Sequence, residues 1–500
     1  MSSMPRELWT AGQVRELDRR AIELHGVSGR ELMERAGAFA FHALLHRWPA
    51  SRALTVVCGA GNNAGDGYVV ARLARRAGLT VRLLSVTDPS GLTGDAAAAS
   101  ADFRREGGEI LRWDGTGDPG GDGPLVDALL GTGLSREVTG AFSSAIESIN
   151  ATRRPVLALD LPSGLHADTG RVMGTAIRAH VTACFIGLKL GLFTAHGPEQ
   201  AGEVLFSSLD VPAGLARGMV PAARRLEAAA LSDWLPRRPR DAHKGHFGHV
   251  LVVGGDRGMG GAARLAGEAA LRVGAGLVTV ATREDHVAAM VAARPELMGR
   301  SVADRAGLEP LLERATVVAA GPGLGRSAWG RDLLDGVLAS GLPCVLDADA
   351  LNLVAEAPRR LGDSVVTPHP GEAGRLLGSD AAAVEADRAA AVRALRERYG
   401  AVVVLKGAGT LVCGAGETLW LCDRGNPGMA SGGMGDVLTG IIAGLAAQLR
   451  DLERSASAGV LLHALAADDA ARAGERGLLA GDLLGGLRAW VNPADAHQAR

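Results

Sequence analysis

Aromatic residues make up only 3% of the 500-residue chain, so its cores must be filled mainly by Ala, Val and Leu. Cysteine is sparse as well: five residues, with no CxxC pair and no metal-ligand spacing to histidine. That excludes a disulfide framework and a zinc ribbon, and points to free, mostly buried thiols in a reducing compartment. No run of about 18 apolar residues is present, which excludes an apparent membrane-spanning helix. The start, MSSMPRELWTAGQVRELDRR, lacks the basic-then-apolar order of a signal peptide, so a cytoplasmic location is expected. A net charge of −2 supplies no polyanion-binding surface, and nucleic acid is not an expected partner. Lysine is nearly absent. Of 53 basic residues only Lys189, Lys244 and Lys406 are lysine. Arginine replaces lysine wherever any cation serves, so these three are candidates for positions where ammonium chemistry itself matters.

What is present is the composition of a globular enzyme, 47% apolar and 22% charged, in a chain long enough for two or three cores. Seventy glycines announce tight turns and close backbone approaches. Ser28 to Glu31 forms an S-x-x-E start to a helix reaching about Trp48. An apolar strand follows at Ala53–Cys58, then a glycine loop, a helix from about Asp66 and a strand at Thr80–Val86. Further strands are expected at Pro124–Leu130 and Pro155–Asp160, with a helix around Gly140–Asn150 between them. Short apolar strands alternating with helices predict a parallel sheet covered on both faces, with ligands at the carboxyl ends of the strands. Proline and arginine accumulate between Pro212 and Arg240, where a linker (216–240) separates a first domain (1–215) from a second (241–500). The alternation then restarts: His249–Val253, a helix from Gly260, Gly276–Ala281, Thr316–Ala320, Pro343–Asp347, Ser364–Thr367 and Ala401–Leu405. The last 70 residues read as helical.

In the first half, Gly59 to Gly67 (GAGNNAGDG) follows a strand and opens a helix, a setting in which backbone N–H groups can meet an anion. It is not GxGxxG with an acidic ribose hook, so the ordinary dinucleotide-binding arrangement is a poor fit. Asp127 in VDALLGTGL and Asp160 in DLPSG each place a carboxylate at the end of an apolar strand, costly unless paired or bound. Lys189 follows a fourth strand. Two Asp with Asn63 and Ser163 make an oxygen-rich group able to hold a monovalent cation.

GNNAGDG, VDALLGTGL, DLPSG and the lysine-bearing segment resemble the NAD(P)H-hydrate epimerase domain of the YjeF N-terminal family over about residues 10–215. The one departure is Ala64, where the family usually has glycine, which should crowd the loop slightly. The resemblance implies a Rossmann-like three-layer α/β/α domain. It implies that Asn62, Asn63, Ala64, Gly65 and Asp66, together with Gly131, Thr132, Gly133, Leu134, Ser135, Arg136 and Glu137, line the hydrated nicotinamide nucleotide. It further implies that Asn63, Asp127 and Ser163 coordinate potassium and that Asp160 contacts substrate. Epimerisation opens and re-forms the C6–O bond of the hydrated ring, for which one proton-shuttling carboxylate suffices. Asp127 is the expected shuttle, assisted by Lys189.

In the second half, ASGGMGDVLTG is a glycine turn running into a helix. Backbone N–H groups of Gly433 to Gly435 can form an anion hole, and Asp436 stands where it can accept a proton from a hydroxyl. Lys406, Gly407, Ala408, Gly409 and Thr410 end a strand in a turn fit for nucleotide phosphates. His369 sits between two prolines, a rigid presentation. Together HKGxxG, GPGLG, LDADALN, TPHPGE, KGAGT and GGMGD resemble the NAD(P)H-hydrate dehydratases of the ribokinase-like superfamily over about 225–495. That resemblance implies contacts to the hydrated cofactor from Ala262, Gly323, His369 and Asp436, and adenine-nucleotide binding by Lys406–Thr410 and Gly435. ADP or ATP would phosphorylate the C6 hydroxyl, with Mg2+ bridging the phosphates and Asp436 as base, before phosphate leaves. The fused arrangement leans to ADP.

Two alternatives carry different expectations. A ribokinase-like kinase for a hydroxymethylpyrimidine-type molecule, joined to a non-catalytic binding domain, would accumulate a stable phosphorylated product. A pure binding module would not need Asp127, Asp160 and Lys189. Apolar helices across Asp451–Trp490, if exposed, would suit a homo-oligomer.

Overall fold

The computed structural model describes residues 4–212, 214–416 and 418–493. The chain divides after Arg224 into two compact units. The interval 216–240 is more than a linker, since it contains a strand, Ala223–Arg225, and a short helix, Ala230–Trp234.

The first unit is built on seven parallel strands. Their order across the sheet is Ile110–Arg112, Thr80–Ser85, Ala53–Cys58, Leu125–Ala128, Val156–Leu159, Val181–Phe185 and Glu203–Ser207. The order reverses between Ala53–Cys58 and Leu125–Ala128, and the crevice beyond the carboxyl ends at such a reversal is where ligands of open α/β sheets bind. Alternate side chains serve opposite faces. Val56, Val126 and Leu157 belong to one core with the helices Gly29–Arg47, Asn62–Arg76 and Gly94–Arg105. Val57, Leu125 and Val156 belong to another with Ala145, Ile146 and Ile149 of Ala141–Ala151. Helices on both faces make three layers.

The helix after the first glycine motif begins at Asn62 rather than near Asp66. The reason is that its glycines serve packing more than looping. A Cβ at Gly67 would lie 2.6 Å from that of Ala128 and 3.0 Å from Cys58 Sγ, so the helix can approach the sheet only with glycine there. Ala64 lies in this helix rather than in a loop, its methyl fully buried in the core with Val56, Val126 and Leu157. The helix Ala11–His25, like Gly94–Arg105, escaped the sequence reading. The start of Ala11–His25 is a reciprocal Thr10/Gln13 capping box.

Among the described residues the second unit has nine strands in the order Met298–Ser301, Leu277–Thr282, His249–Val253, Val317–Ala320, Cys344–Leu346, Ser364–Val366, Val402–Leu405, Thr410–Cys413 and Leu419–Cys422. The first seven are parallel and the last two run antiparallel. Met434–Leu449, Leu452–Ala470 and Ala480–Trp490 are the expected C-terminal helices. They are not exposed apolar faces. Val460, Leu461, Leu462, Leu483 and Leu487 are buried in the unit's own core, which removes the basis for an oligomer read from them. All five cysteines are free and buried. Among the described residues no helix is long and apolar enough to cross a membrane.

Candidate active sites

At the carboxyl edge of the first sheet lies a cavity of about 620 Å3. Its wall includes Asn62, Asn63, Asp66, Gly131, Thr132, Gly133, Leu134, Ser135, Arg136, Asp160 and Lys189, all foreseen from the motifs. Ala64, Gly65 and Glu137 are not part of the wall. The first two pack inward, and Glu137 pairs at the surface with Arg171 at 2.6 Å.

Asp160 is one residue past its strand and adopts φ 64°, uncommon for any residue but glycine. That twist brings its carboxylate to Lys189 Nζ in an ion pair, and Phe185 N–H donates to the same oxygen at 3.2 Å. Lys189 is fully buried and also donates to Phe185 O at 3.0 Å. Burial opposes its charge, but Asp160, aided by other anionic neighbours, outweighs this and holds the ammonium above its ordinary range. Asp66 is pushed well above the usual carboxyl range by burial and by the nearby Asp160 and Asp18 charges.

Asp127 is placed differently. It has no exposed surface and does not line the cavity. Its oxygens accept from Ser163 N–H (2.8 Å), Ser163 Oγ (2.6 Å) and Leu129 N–H (3.2 Å). Burial raises its pKa to about 6 against those hydrogen bonds. The structure therefore groups Asp127 with Ser163 behind the wall, away from the position expected of a shuttle. Asn63 joins that group through Leu130, to whose carbonyl its Nδ2 donates at 2.9 Å while Ser163 Oγ accepts from Leu130 N–H at 2.8 Å. Asn63 Oδ1 is buried without a hydrogen-bond partner.

The second site gathers at the carboxyl edge of the other sheet. Asp436 lies in the first turn of Met434–Leu449, after Gly433 at φ 91°. Lys406 Nζ meets Asp347 Oδ1 at 2.6 Å, and Thr439 Oγ1 donates to Asp347 Oδ2 at 3.0 Å. Glu372 Oε2 stands 3.8 Å from the same ammonium, and its other oxygen 3.5 Å from His369 Nε2. A Cβ at Gly435 would sit 3.1 Å from Asp347 Oδ2 and 3.3 Å from Lys406 Nζ, so this glycine lets the helix start against the ion pair. Burial, then the adjacent Asp347 charge, raise the Asp436 pKa to about 6 against the pull of Lys406. Burial disfavours a charged Asp347, yet Lys406 and its hydrogen bonds hold it below the usual range.

His369 caps the helix Pro370–Leu377 through Nδ1, which accepts from Gly371 N–H at 3.0 Å, leaving half of its side chain exposed. A Cβ at Gly323 would lie 3.3 Å from that of Ala262, so those two expected contacts are neighbours. Gly407 (φ 134°) and Gly409 (φ 67°) shape the tight turn between strands. Sequence reasoning missed Asp347 as the partner of Lys406, together with Glu372 and Thr439. It also missed Arg388, buried and donating to Leu405 O and Lys406 O. Among the described residues no three His, Cys, Asp or Glu side chains are grouped to hold a metal ion.

Comparison with known proteins bears on both sites. Residues 29–191 match the family model described as YjeF-related protein N-terminus, and residues 250–487 the one described as NAD(P)H-hydrate dehydratase. A Coxiella burnetii bifunctional NAD(P)H-hydrate repair enzyme is 50% identical, covering 97% of this chain and 99% of its own. The chain belongs to the bifunctional NAD(P)H-hydrate repair enzymes. The Escherichia coli member of these repair enzymes is 45% identical over 98% of this chain and 95% of its own. The second unit also resembles the crystal structure of a ribokinase-like superfamily protein from Enterococcus faecalis. That protein is 34% identical with a TM-score of 0.51, covering 54% of this chain and 95% of the other. Bifunctional repair enzymes similar across both units leave the kinase-plus-binding-module alternative unsupported.

Proposed function

We propose that the first unit interconverts the R and S epimers of hydrated NADH and NADPH. The second then dehydrates the S epimer to NAD(P)H, using ADP (or ATP) and releasing AMP (or ADP) and phosphate. The observation that carries this reading is that one chain, similar end to end to bifunctional repair enzymes, has an aspartate at the carboxyl edge of each sheet, Asp160 in the first unit and Asp436 in the second.

In the second unit Asp436 takes the proton of the C6 hydroxyl as that oxygen attacks the terminal phosphorus. Gly433–Gly435 N–H groups face the phosphoryl charge, and Lys406 adds a fixed positive charge. Magnesium arriving with the nucleotide would supply charge neutralisation there. In the first unit Asp160, which lines the cavity, is the better-placed carboxylate, with Lys189 orienting it. Asn63, Asp127 and Ser163 fit a potassium ion, because Asn63 Oδ1 is a buried oxygen without a donor and the set is all oxygen. The ion would supply electrostatic support to the Leu129–Leu130 segment of the wall.

The test is incubation of mixed epimers of hydrated NADH with ADP or ATP and magnesium, following absorbance of the reduced ring. Complete conversion requires both units; a halt near half leaves the first unit without its assigned activity. Two substitutions separate the aspartates. Asp160→Asn is expected to lower epimerisation kcat by about 10²–10⁴-fold. Asp127→Asn is expected to abolish stimulation by potassium instead. The reverse pattern, measured by the same assay with potassium replaced by sodium, refutes this division of roles.

A further inference from the structure

The cavity of the first unit holds an aspartate that neither the motifs nor the matched stretch 29–191 covers: Asp18, on the helix Ala11–His25. This helix is fixed to the site on several sides. The strand before it, Glu7–Trp9, pairs in parallel with Leu188–Lys189, Trp9 lying opposite Lys189. Ala11 N–H donates to Asp168 at 2.6 Å, and Gln13 Nε2 to Val220 O at 2.7 Å. Val14, Leu17 and Ala21 are buried beneath it, and a Cβ at Gly187 would lie 2.8 Å from Trp9 and 3.1 Å from Val14. The register that seats Lys189 thus also seats Asp18 over the cavity.

Asp18 differs from Asp160 in a way that matters for proton transfer. Asp160 is ion-paired, whereas Asp18 lines the same cavity with no hydrogen-bond or ion-pair partner among the described residues. Resting on the epimerase reading of this unit, we propose that Asp18 is a second acid–base group of the epimerisation, working with Asp160 across the hydrated ring. Burial, with the Asp160 charge and against Lys189, brings Asp18 to a pKa of about 6, so it can both give and accept a proton near neutrality. Arg15, Asp66, Asp95, Arg136, Asp160 and Lys189 are the other charged or titratable groups on this wall.

The step balances without any further reactant. The neutral Asp18 carboxyl gives its proton to the C6 hydroxyl as the C6–O bond breaks, the electron pair leaving with oxygen as water. The lone pair of the ring nitrogen forms the N1=C6 double bond. A water on the Asp160 side adds to C6, the π pair returns to nitrogen, and the added water's proton passes to Asp160. Water bound to so electron-poor a carbon is acidic enough for an ion-paired carboxylate to receive it. The opposite epimer follows the same path backwards, and proton exchange with solvent resets the pair.

The experiment measures epimerisation kcat and KM in the full chain between about pH 5 and pH 8. It compares wild type, Asp18→Asn, Asp18→Glu and Asp66→Asn. Dehydration of the S epimer and the melting transition serve as folding controls. Asp18→Asn is expected to cut kcat by about 10²–10⁴-fold with little change in KM. In wild type both directions should slow as pH rises past about 6, where the pair loses its shared proton; this limb disappears in Asp18→Asn and returns in part in Asp18→Glu. Wild-type kcat in Asp18→Asn, a loss confined to KM, or a limb removed by Asp66→Asn alone overturns the proposal. Should Asp18→Asn not fold, a wild-type profile without the limb overturns it equally. A wild-type chain that dehydrates one epimer but never converts the other refutes the reading of the unit rather than the role of Asp18.

Discussion

Asparagine in place of Asp436 is expected to slow dehydration by about 10²–10⁴-fold while epimerisation continues at its normal rate. The amide keeps the size and the position at the helix start but cannot take the hydroxyl proton. The same change should raise the melting temperature at neutral pH. Asp436 has its pKa moved from the ordinary 3.8 to about 6. A carboxyl raised on folding makes the native state bind a proton more tightly than the unfolded chain, so ionising it costs native stability as pH climbs from about 4 to 6. Above that window the cost is complete, on the order of 3 kcal/mol by the size of the displacement. Asp436→Asn removes it. The gain is therefore present at pH 7, fades on acidification from about 6 to about 4, and is gone below that, where aspartate is neutral in both states. In wild type, dehydration should fall tenfold per pH unit below about 6, with this limb absent from the residual activity of the variant. A variant of undiminished rate removes Asp436 from the chemistry, whatever its stability.

Removing the Lys189 ammonium should have the largest effect on stability. Lys189→Met leaves Asp160 with no cation beside it and with Asp18 and Asp66 on the same wall. Breaking one side of a buried ion pair costs about 3–5 kcal/mol because the remaining charge stays desolvated. For a unit of this size that corresponds to a melting shift of roughly 6–20 °C. The loss should appear in the transition of the first unit, with heat-resistant dehydration by the second unchanged. Epimerisation should fall below detection, and Lys189→Arg should not restore it. Lys189 is fully buried and its compact ammonium holds both Asp160 and the Phe185 carbonyl, an arrangement that the longer, planar guanidinium does not reproduce. A melting profile that does not move in Lys189→Met contradicts the buried pair.

Local pattern was enough to find most of the parallel strands. Ala53–Cys58 and His249–Val253 are read to the residue because continuous apolar runs end at glycine. The antiparallel hairpin Thr410–Cys413 and Leu419–Cys422 was missed, since the KGAGT glycines looked only like a ligand turn. Strand order, and with it the crevice, has no local signal, because it depends on which runs pair across more than sixty residues, as Val57 does with Asp127.

The site shows the same division. Residue types and motif spacing marked Asp127, Asp160, Lys189, Lys406 and Asp436 as the groups that matter, because a charge in an apolar strand end needs a reason. Rank among them came only with the third dimension. Asp127 and Asp160 have alike sequence surroundings, but one lies within a strand and is hydrogen-bonded to Ser163, while the other stands a residue beyond its strand with φ 64° and turns to the cavity. The sequence by itself determined two α/β units, their motifs and the chemistry available at each. Tertiary structure decided which carboxylate lines the cavity and brought Asp18 to it from a distant helix, because exposure and partnership are properties of folded neighbours and not of the residue's own segment.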